Sequence, residues 1–364
     1  MAERTINVLV VEDSAVAREL LIHVLQSDPA VRVTACARDG EQAIAALAQS
    51  KPDVITMDIH MPGMDGFETT RRIMDTQPVP IIIVSASYSS DDVVKSFHAL
   101  EAGAVAIMEK PPGVADPAYE QRARQLVNTV KAMSEVRVVR RWPKTRVTPA
   151  RVLPLPAAQA PQPLTGRSRV ELVAIGASTG GPPVLQSILA ALPKPFPVPI
   201  FVVQHISFGF VQGLADWLSG TTGVLASVAR HRERAQPGRV YLAPDRCHMI
   251  VEKDGHISCS PGEPENGLLP AVSPLFRSVA QNFGNRAIGI LLTGMGRDGA
   301  QELKLMRQAG AVTFAQDQES SIVFGMPGEA VKIDAATYIF PPERIAATLA
   351  SLVIEKSDTA PSHL

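Results

Sequence analysis

The chain is poor in cysteine. Its 364 residues hold three, Cys36, Cys247 and Cys259, an odd number without the spacing of a zinc site. That excludes a disulfide framework and points to a reducing, intracellular setting. No apolar run approaches the ~18 residues that suggest a membrane span. The opening stretch MAERTINVLVVEDS meets acid too early for a secretory signal. A cytoplasmic protein without membrane insertion is expected. Net charge is also missing: 35 Lys and Arg against 36 Asp and Glu leave −1, which excludes a strongly basic nucleic-acid binder as a description of the whole chain. What the chain does have is 46% hydrophobic and 20% charged residues, an ordinary globular composition, and enough length for two cores.

The absent net charge is a cancellation. Residues 1–128 hold 11 basic and 18 acidic residues, for −7; residues 129–169 hold nine and one, for +8; residues 170–364 hold 15 and 17, for −2. The middle stretch is rich in proline and has no acid from Val136 through Val170. Such a segment cannot build a core and reads as an extended linker. As a nucleic-acid arm it would want aromatic interleaving, and Trp142 alone supplies any. The polar end, residues 355–364, reads as a disordered tail. The predicted organisation is a first domain over 1–128, a basic tether over 129–169, a second domain over 170–354, and the tail.

In the first domain, INVLVV, VRVTAC, DVITMD, PIIIVSA and AVAIMEK read as short strands. Helical patterns alternate with them, such as Ala17, Leu20, Leu21, Val24 and Leu25. Five such units predict an α/β fold with a five-stranded, doubly wound parallel sheet, whose site lies at the carboxyl ends of the strands. Polar residues stand at those ends: Glu12 and Asp13 after the first strand, Asp58 after the third, Ser85 after the fourth and Lys110 after the fifth. Each acid alone reads as a helix cap or a solvated group. Three carboxylates on one sheet edge repel one another unless a cation lies among them, and oxygen ligands beside a phosphoryl group suit Mg²⁺.

With Glu12-Asp13, MDIHMPGMDGFE, VSA and EKP in that order, the segment resembles the response-regulator receiver family. The resemblance implies phosphorylation of Asp58 by a partner histidine kinase. Mg²⁺ would be held by Asp13, Asp58 and the backbone carbonyl of His60, with Glu12 nearby, and Ser85 and Lys110 would read the phosphoryl group. One position departs: Ile107 stands where the family usually has an aromatic switch residue.

In the second domain, VELVAIG runs into GASTGGPP and then an apolar helical pattern. Gly176 to Gly180 fits the G-x-S-x-G turn that exposes a serine at a strand-to-helix junction, although Gly-rich turns of this kind also bind phosphate. PIFVVQH delivers His205 and AIGILLTG leads to Asp298, again at strand ends. Singly, the histidine reads as structural and the aspartate as an N-cap. Together, Ser178, His205 and Asp298 have the composition of a hydrolytic triad, in an order unlike that of the α/β-hydrolases. Lys253-Asp254-Gly255 reads as a hairpin turn, adding an antiparallel element to a mostly parallel sheet.

IGASTGGP, VVQH, RVYLAP, LLTGMGRDGA and AQDQESSIVFGMP resemble successive motifs of the chemotaxis methylesterase domain. A receiver joined to that domain is the architecture of the chemotaxis protein-glutamate methylesterase/glutaminase family. The resemblance implies hydrolysis of γ-glutamyl methyl esters on methyl-accepting chemoreceptors, with glutamine deamidation, by Ser178, His205 and Asp298. Backbone N–H groups of Thr179 and Met295 would serve the oxyanion, and the ester reaction needs no cofactor. In the family's logic the unphosphorylated receiver covers the active site. Leu268 to Ser273 departs from the family's usual His-Arg-Pro-Ser-Val-Asp-like stretch, which bears on receptor recognition. Two other readings differ in class: a phospho-regulated esterase or amidase acting on another protein, and a binding effector, which needs no triad. A DNA-binding output lacks a basic helix-turn-helix. No nucleic-acid partner and a monomer are expected.

Overall fold

The computed structural model describes residues 5–85, 90–136, 138 and 169–354. The predicted tail and nearly all of the basic stretch after Val138 lie outside the described residues. The first unit carries strands β1 (Ile6–Val11), β2 (Val31–Ala37), β3 (Val54–Met57), β4 (Ile81–Ser85) and β5 (Ala106–Glu109). They alternate with helices α1 (Ala15–Leu25), α2 (Gly40–Ser50), α3 (Gly66–Thr76), α4 (Ser90–Ala102) and α5 (Tyr119–Ser134). The strands form one parallel sheet in the order β2-β1-β3-β4-β5. β1, β3 and β4 are almost wholly buried, as a sheet covered on both faces requires. Helices begin where caps stand: Ser14, Asp39 and Asp65 each accept a hydrogen bond from the N–H three residues on.

α5 crosses position 128, where the charge count divides the chain. Leu126, Val127, Val130 and Met133 recur at helical spacing and are buried in one cluster with Val8 and Val10 of β1. Apolar periodicity, not charge, sets the end of this helix.

The second unit contains β6 (Leu172–Ala177), α6 (Gly181–Ala191), β7 (Ile200–Gln204), α7 (Val211–Thr222), β8 (Leu225–Val228), β9 (Glu233–Arg234), β10 (Arg239–Leu242), β11 (His248–Val251) and β12 (His256–Ser260). It continues through α8 (Val272–Asn282), β13 (Ala287–Leu291), α9 (Ala300–Gln308), β14 (Val312–Gln316), α10 (Met326–Lys332), β15 (Tyr338–Phe340) and α11 (Pro342–Ile354). Seven strands pair in parallel in the order β15-β14-β13-β6-β7-β10-β8. The chain leaves β6 toward β7 on one side and later returns to β13 on the other. That reversal opens a crevice at the carboxyl ends of β13, β6 and β7, the usual ligand position in such sheets.

The Lys253-Asp254-Gly255 turn does close a hairpin, with Gly255 at φ +85°. The hairpin does not join the parallel sheet. It pairs with β9 as a separate three-stranded sheet, because Met249, Val251 and Ile257 turn into a cluster with Phe276 and Val279 of α8. Ser278 Oγ accepts from Val251 N at 3.1 Å and Asn282 Nδ2 donates to Val251 O at 2.8 Å, fixing the hairpin across that helix.

The two units touch through α4 and α7. Phe97 stacks on Trp217 with ring centroids 5.4 Å apart and planes inclined by 22°. Trp217 Nε1 donates to Glu101 Oε1 at 2.9 Å, and Gln186 Nε2 of α6 reaches the same oxygen at 3.3 Å. Both rings are buried within a single apolar cluster that runs through both units.

Candidate active site

Ser178 is the first residue beyond β6 and stands ahead of α6. Its N–H donates to Thr293 O at 3.0 Å, and its carbonyl accepts from Gly181 N at 2.8 Å, which makes the tight turn into the helix. The loop after β13 comes so close that a Cβ at Gly294 would fall 2.6 Å from Ser178 Cβ; only glycine permits this approach. His205 is the first residue beyond β7, with its N–H on Ala177 O at 2.9 Å. Its ring nitrogen Nε2 lies 2.9 Å from Asp298 Oδ2, and both side chains are largely buried. When Nε2 carries the proton toward Asp298, the acceptor of the neutral ring is Nδ1. The Ser178 hydroxyl makes no hydrogen bond to this ring among the described residues; such contacts commonly tighten only in the substrate complex.

Asp298 is held from several sides. Val272 N reaches Oδ2 at 2.6 Å; Ser273 Oγ, Ser273 N and Asn266 Nδ2 reach Oδ1 at 2.7, 3.3 and 3.1 Å. Val272 and Ser273 are the first residues of α8, so the positive end of that helix faces the carboxylate. Burial pushes the Asp298 pKa up, but the His205, Ser273 and Val272 hydrogen bonds outweigh it and hold the carboxyl at about 2. A folded-state value below the ordinary 3.8 means that ionised Asp298 stabilises the fold above about pH 4, and that this contribution is lost as pH falls toward 2. The difference is worth about 2 kcal/mol. In denaturant titrations at pH 6 and pH 2.5, Asp298→Asn should therefore lose ~2 kcal/mol less than wild type on acidification. Equal losses would show that these hydrogen bonds do not favour the ionised form.

The Leu268–Ser273 stretch has two uses here. Leu268, Leu269 and Pro270 line the cleft beside Ser178 and His205, and Ser273 supports Asp298. The sequence marks this stretch as a departure and does not indicate the second use. Thr179 and Met295 also line the cleft, and the Met295 side chain is exposed. Asn266 and Gln204 are further site residues without a sequence signal of their own, beyond the position of Gln204 next to His205. A cavity of about 1180 Å³ extends from this cleft to the receiver-like unit, where Leu100, Ile107, Gln121, Arg124 and Asn128 line it.

At the other sheet edge, Asp58 follows β3 and is buried, with Lys110 Nζ 2.8 Å from its Oδ2 and 2.7 Å from Glu12 Oε2. Burial opposes the Lys110 charge, but the two carboxylates outweigh it and raise its pKa. Burial also raises Glu12, with Lys110 pulling against it and Asp58 adding to it. His60 N donates to Asp58 Oδ1 at 3.4 Å, and Ser85 closes β4, its carbonyl accepting from Lys110 N at 3.0 Å. Carboxylate oxygens of Glu12, Asp13 and Asp58 all lie within 4.8 Å of one another. Three carboxylates facing one ammonium leave two negative charges, and an all-oxygen donor set of that charge fits a hard divalent cation.

The family models match the same two units: a response regulator receiver domain over residues 8–116 and a CheB methylesterase domain over residues 173–349. Fold and matches together define the class, a response regulator whose output domain is of the methylesterase type. The protein-glutamate methylesterase/protein-glutamine glutaminase 1 of Syntrophus aciditrophicus is 53% identical over 349 residues, covering 95% of this chain and 98% of that protein. The corresponding protein of Nitrosospira multiformis is 51% identical over 356 residues, covering 97% and 99%. The crystal structure of the Thermotoga maritima CheB methylesterase catalytic domain is 35% identical, covers 51% of this chain and all of that one, and has a TM-score of 0.49. The chain belongs to the protein-glutamate methylesterase/protein-glutamine glutaminase family. Among the described residues no helix is long and apolar enough to cross a membrane.

Proposed function

We propose that the chain demethylates glutamate methyl esters on chemoreceptors, and deamidates receptor glutamines, with Ser178, His205 and Asp298 as its triad and the phosphorylation state of Asp58 as its control. The observation that carries this reading is the His205–Asp298 contact of 2.9 Å in the same cleft as Ser178, in a chain of this family. Ser178 Oγ attacks the ester carbonyl while His205 takes its proton through Nδ1, and Asp298 stabilises the imidazolium that forms. The backbone N–H groups of Thr179 and Met295 are assigned to the oxyanion. Collapse breaks the C–O bond, and His205 returns the proton to the departing methoxide, releasing methanol. Water, deprotonated by His205, then attacks the glutamyl-serine ester and frees glutamate. The same sequence on a primary amide releases ammonia.

In the receiver, Asp58 is the phosphoacceptor, supplied by a chemotaxis-type histidine kinase. Asp13, Asp58 and the His60 carbonyl, with Glu12 nearby, are the residues that would hold Mg²⁺, which when bound neutralises the oxygens of the phosphoryl donor. Ser85 and Lys110 are assigned to binding the phosphoryl oxygens. The test is methanol release from membranes carrying methylated receptors, with and without a small-molecule phosphodonor. Release should rise about 5–150-fold with the donor, the range of a 1–3 kcal/mol coupling. Asp58→Asn should stay at the basal rate in both conditions. A donor response that survives this substitution would remove Asp58 from the control role.

A further inference from the structure

Gln204 is the last residue of β7 and is buried. Its side-chain nitrogen donates twice, to Ser178 O at 2.8 Å and to His205 O at 2.8 Å. β6 and β7 are neighbours in the sheet, paired through Ala177 and Gln204, so these two carbonyls belong to the residues immediately past the ends of adjacent strands. One amide group therefore joins the main chain of the nucleophile to the main chain of the base. We infer that Gln204 is a positioning residue that sets the separation of Ser178 from His205; the inference rests on the triad reading above.

The chemistry of the site permits few substitutes. Two carbonyl oxygens ask for two hydrogens from one point, and among uncharged side chains of this length only a primary amide presents both. The opposite orientation would set the amide oxygen against two carbonyl oxygens, so the hydrogen-bond network determines which way the group faces. The amide oxygen itself is buried and has no hydrogen-bond partner among the described residues. A buried acceptor left unpaired is unfavourable and calls for an explanation; here it accompanies the double donation on the other side of the same group. Gly181, the first residue of α6, completes the fit. A Cβ there would fall 2.1 Å from Gln204 Oε1, so a side chain at position 181 would have to displace the glutamine amide. The same Gly181 donates its N–H to Ser178 O, and the nucleophile's carbonyl is thereby held by helix and glutamine together.

The test uses the full chain and two readouts. The first is the rate of Ser178 labelling by a fluorophosphonate, which needs the nucleophile and its base but no receptor; the second is methanol release. Gln204→Met keeps length and volume and removes both donors. Its labelling rate should fall about 10–100-fold, the cost of a small misplacement of reacting groups, with KM for receptor membranes within about two-fold of wild type. The pH dependence of labelling should flatten, because the residual reaction no longer passes through a well-placed His205. Gly181→Ala, which pushes on Oε1 and keeps both donors, should slow labelling as well, and should add little in the Gln204→Met background. If Gln204→Met does not fold, Gly181→Ala decides alone by its labelling rate and pH profile. Wild-type protein that labels, with variants that label equally fast and with the same pH profile, overturns the positioning role. Wild-type protein that does not label overturns the triad and this inference with it.

Discussion

Replacing Ser178 by alanine is expected to reduce methanol release from methylated receptors by on the order of 10⁴–10⁶-fold, the loss typical of removing a triad nucleophile. The fold should be unaffected for a specific reason. The close approach of Gly294 is to Ser178 Cβ, and alanine keeps that atom. The Ser178 N–H and carbonyl keep their bonds to Thr293, Gly181 and Gln204. Only the hydroxyl is lost. His205→Ala should cost nearly as much, and the double variant little more than either, because the two groups act as one unit. Unchanged thermal unfolding with release at the background rate is the expected pair of measurements. A Ser178→Ala variant within ten-fold of wild type would mean that another residue attacks the ester.

Replacing Glu101 by arginine should raise the basal rate of the unphosphorylated protein by about 5–150-fold, the span of a 1–3 kcal/mol coupling. Glu101 Oε1 accepts from Trp217 Nε1 and from Gln186 Nε2, so a guanidinium there would remove the shared acceptor and face the indole N–H, which can only donate. The α4–α7 contact would weaken while the Ser178 cleft and the Asp58 carboxylate cluster kept their residues. The receiver borders the cleft, with Gln121, Arg124 and Asn128 lining the same cavity as Ser178 and His205, and release of the contact is expected to open that cavity to substrate. Combined with Asp58→Asn, the variant should remain active without phosphodonor, separating opening from phosphorylation. A basal rate unchanged by Glu101→Arg would indicate that this contact does not hold the receiver in place.

Much of this was legible in the sequence, and the reason is geometrical. In a parallel sheet the residue after each strand lies on the same edge as its counterparts, so Glu12, Asp58 and Lys110, or Ser178 and His205, could be brought together without knowing strand order. Asp298, seven residues past β13, needed the glycine-rich turn as well. What could not be read depends on which elements are neighbours. Gln204 bonds across β6 and β7, Asn266 and Ser273 reach Asp298 from a loop and a helix start, and Glu101 meets Trp217 across 116 residues. None of these pairings leaves a local pattern. The hairpin turn was legible from Lys253-Asp254-Gly255, but its partner was not, since the choice of β9 follows from the packing of Met249 and Val251 on α8. The end of α5 follows its apolar period, which runs past the point where the charge changes sign.

The Phe97–Trp217 stack has a consequence beyond access to the cleft. It belongs to one buried apolar cluster that continues into both domains, so separating them exposes part of a shared core. Any restraint this contact places on the enzyme is then drawn from the same burial that lends each domain some of its resistance to unfolding. A substitution that weakens the receiver's grip should activate the protein and soften it together, and one that tightens the grip should do the reverse. Restraint and robustness are thus expected to move together when this contact is altered.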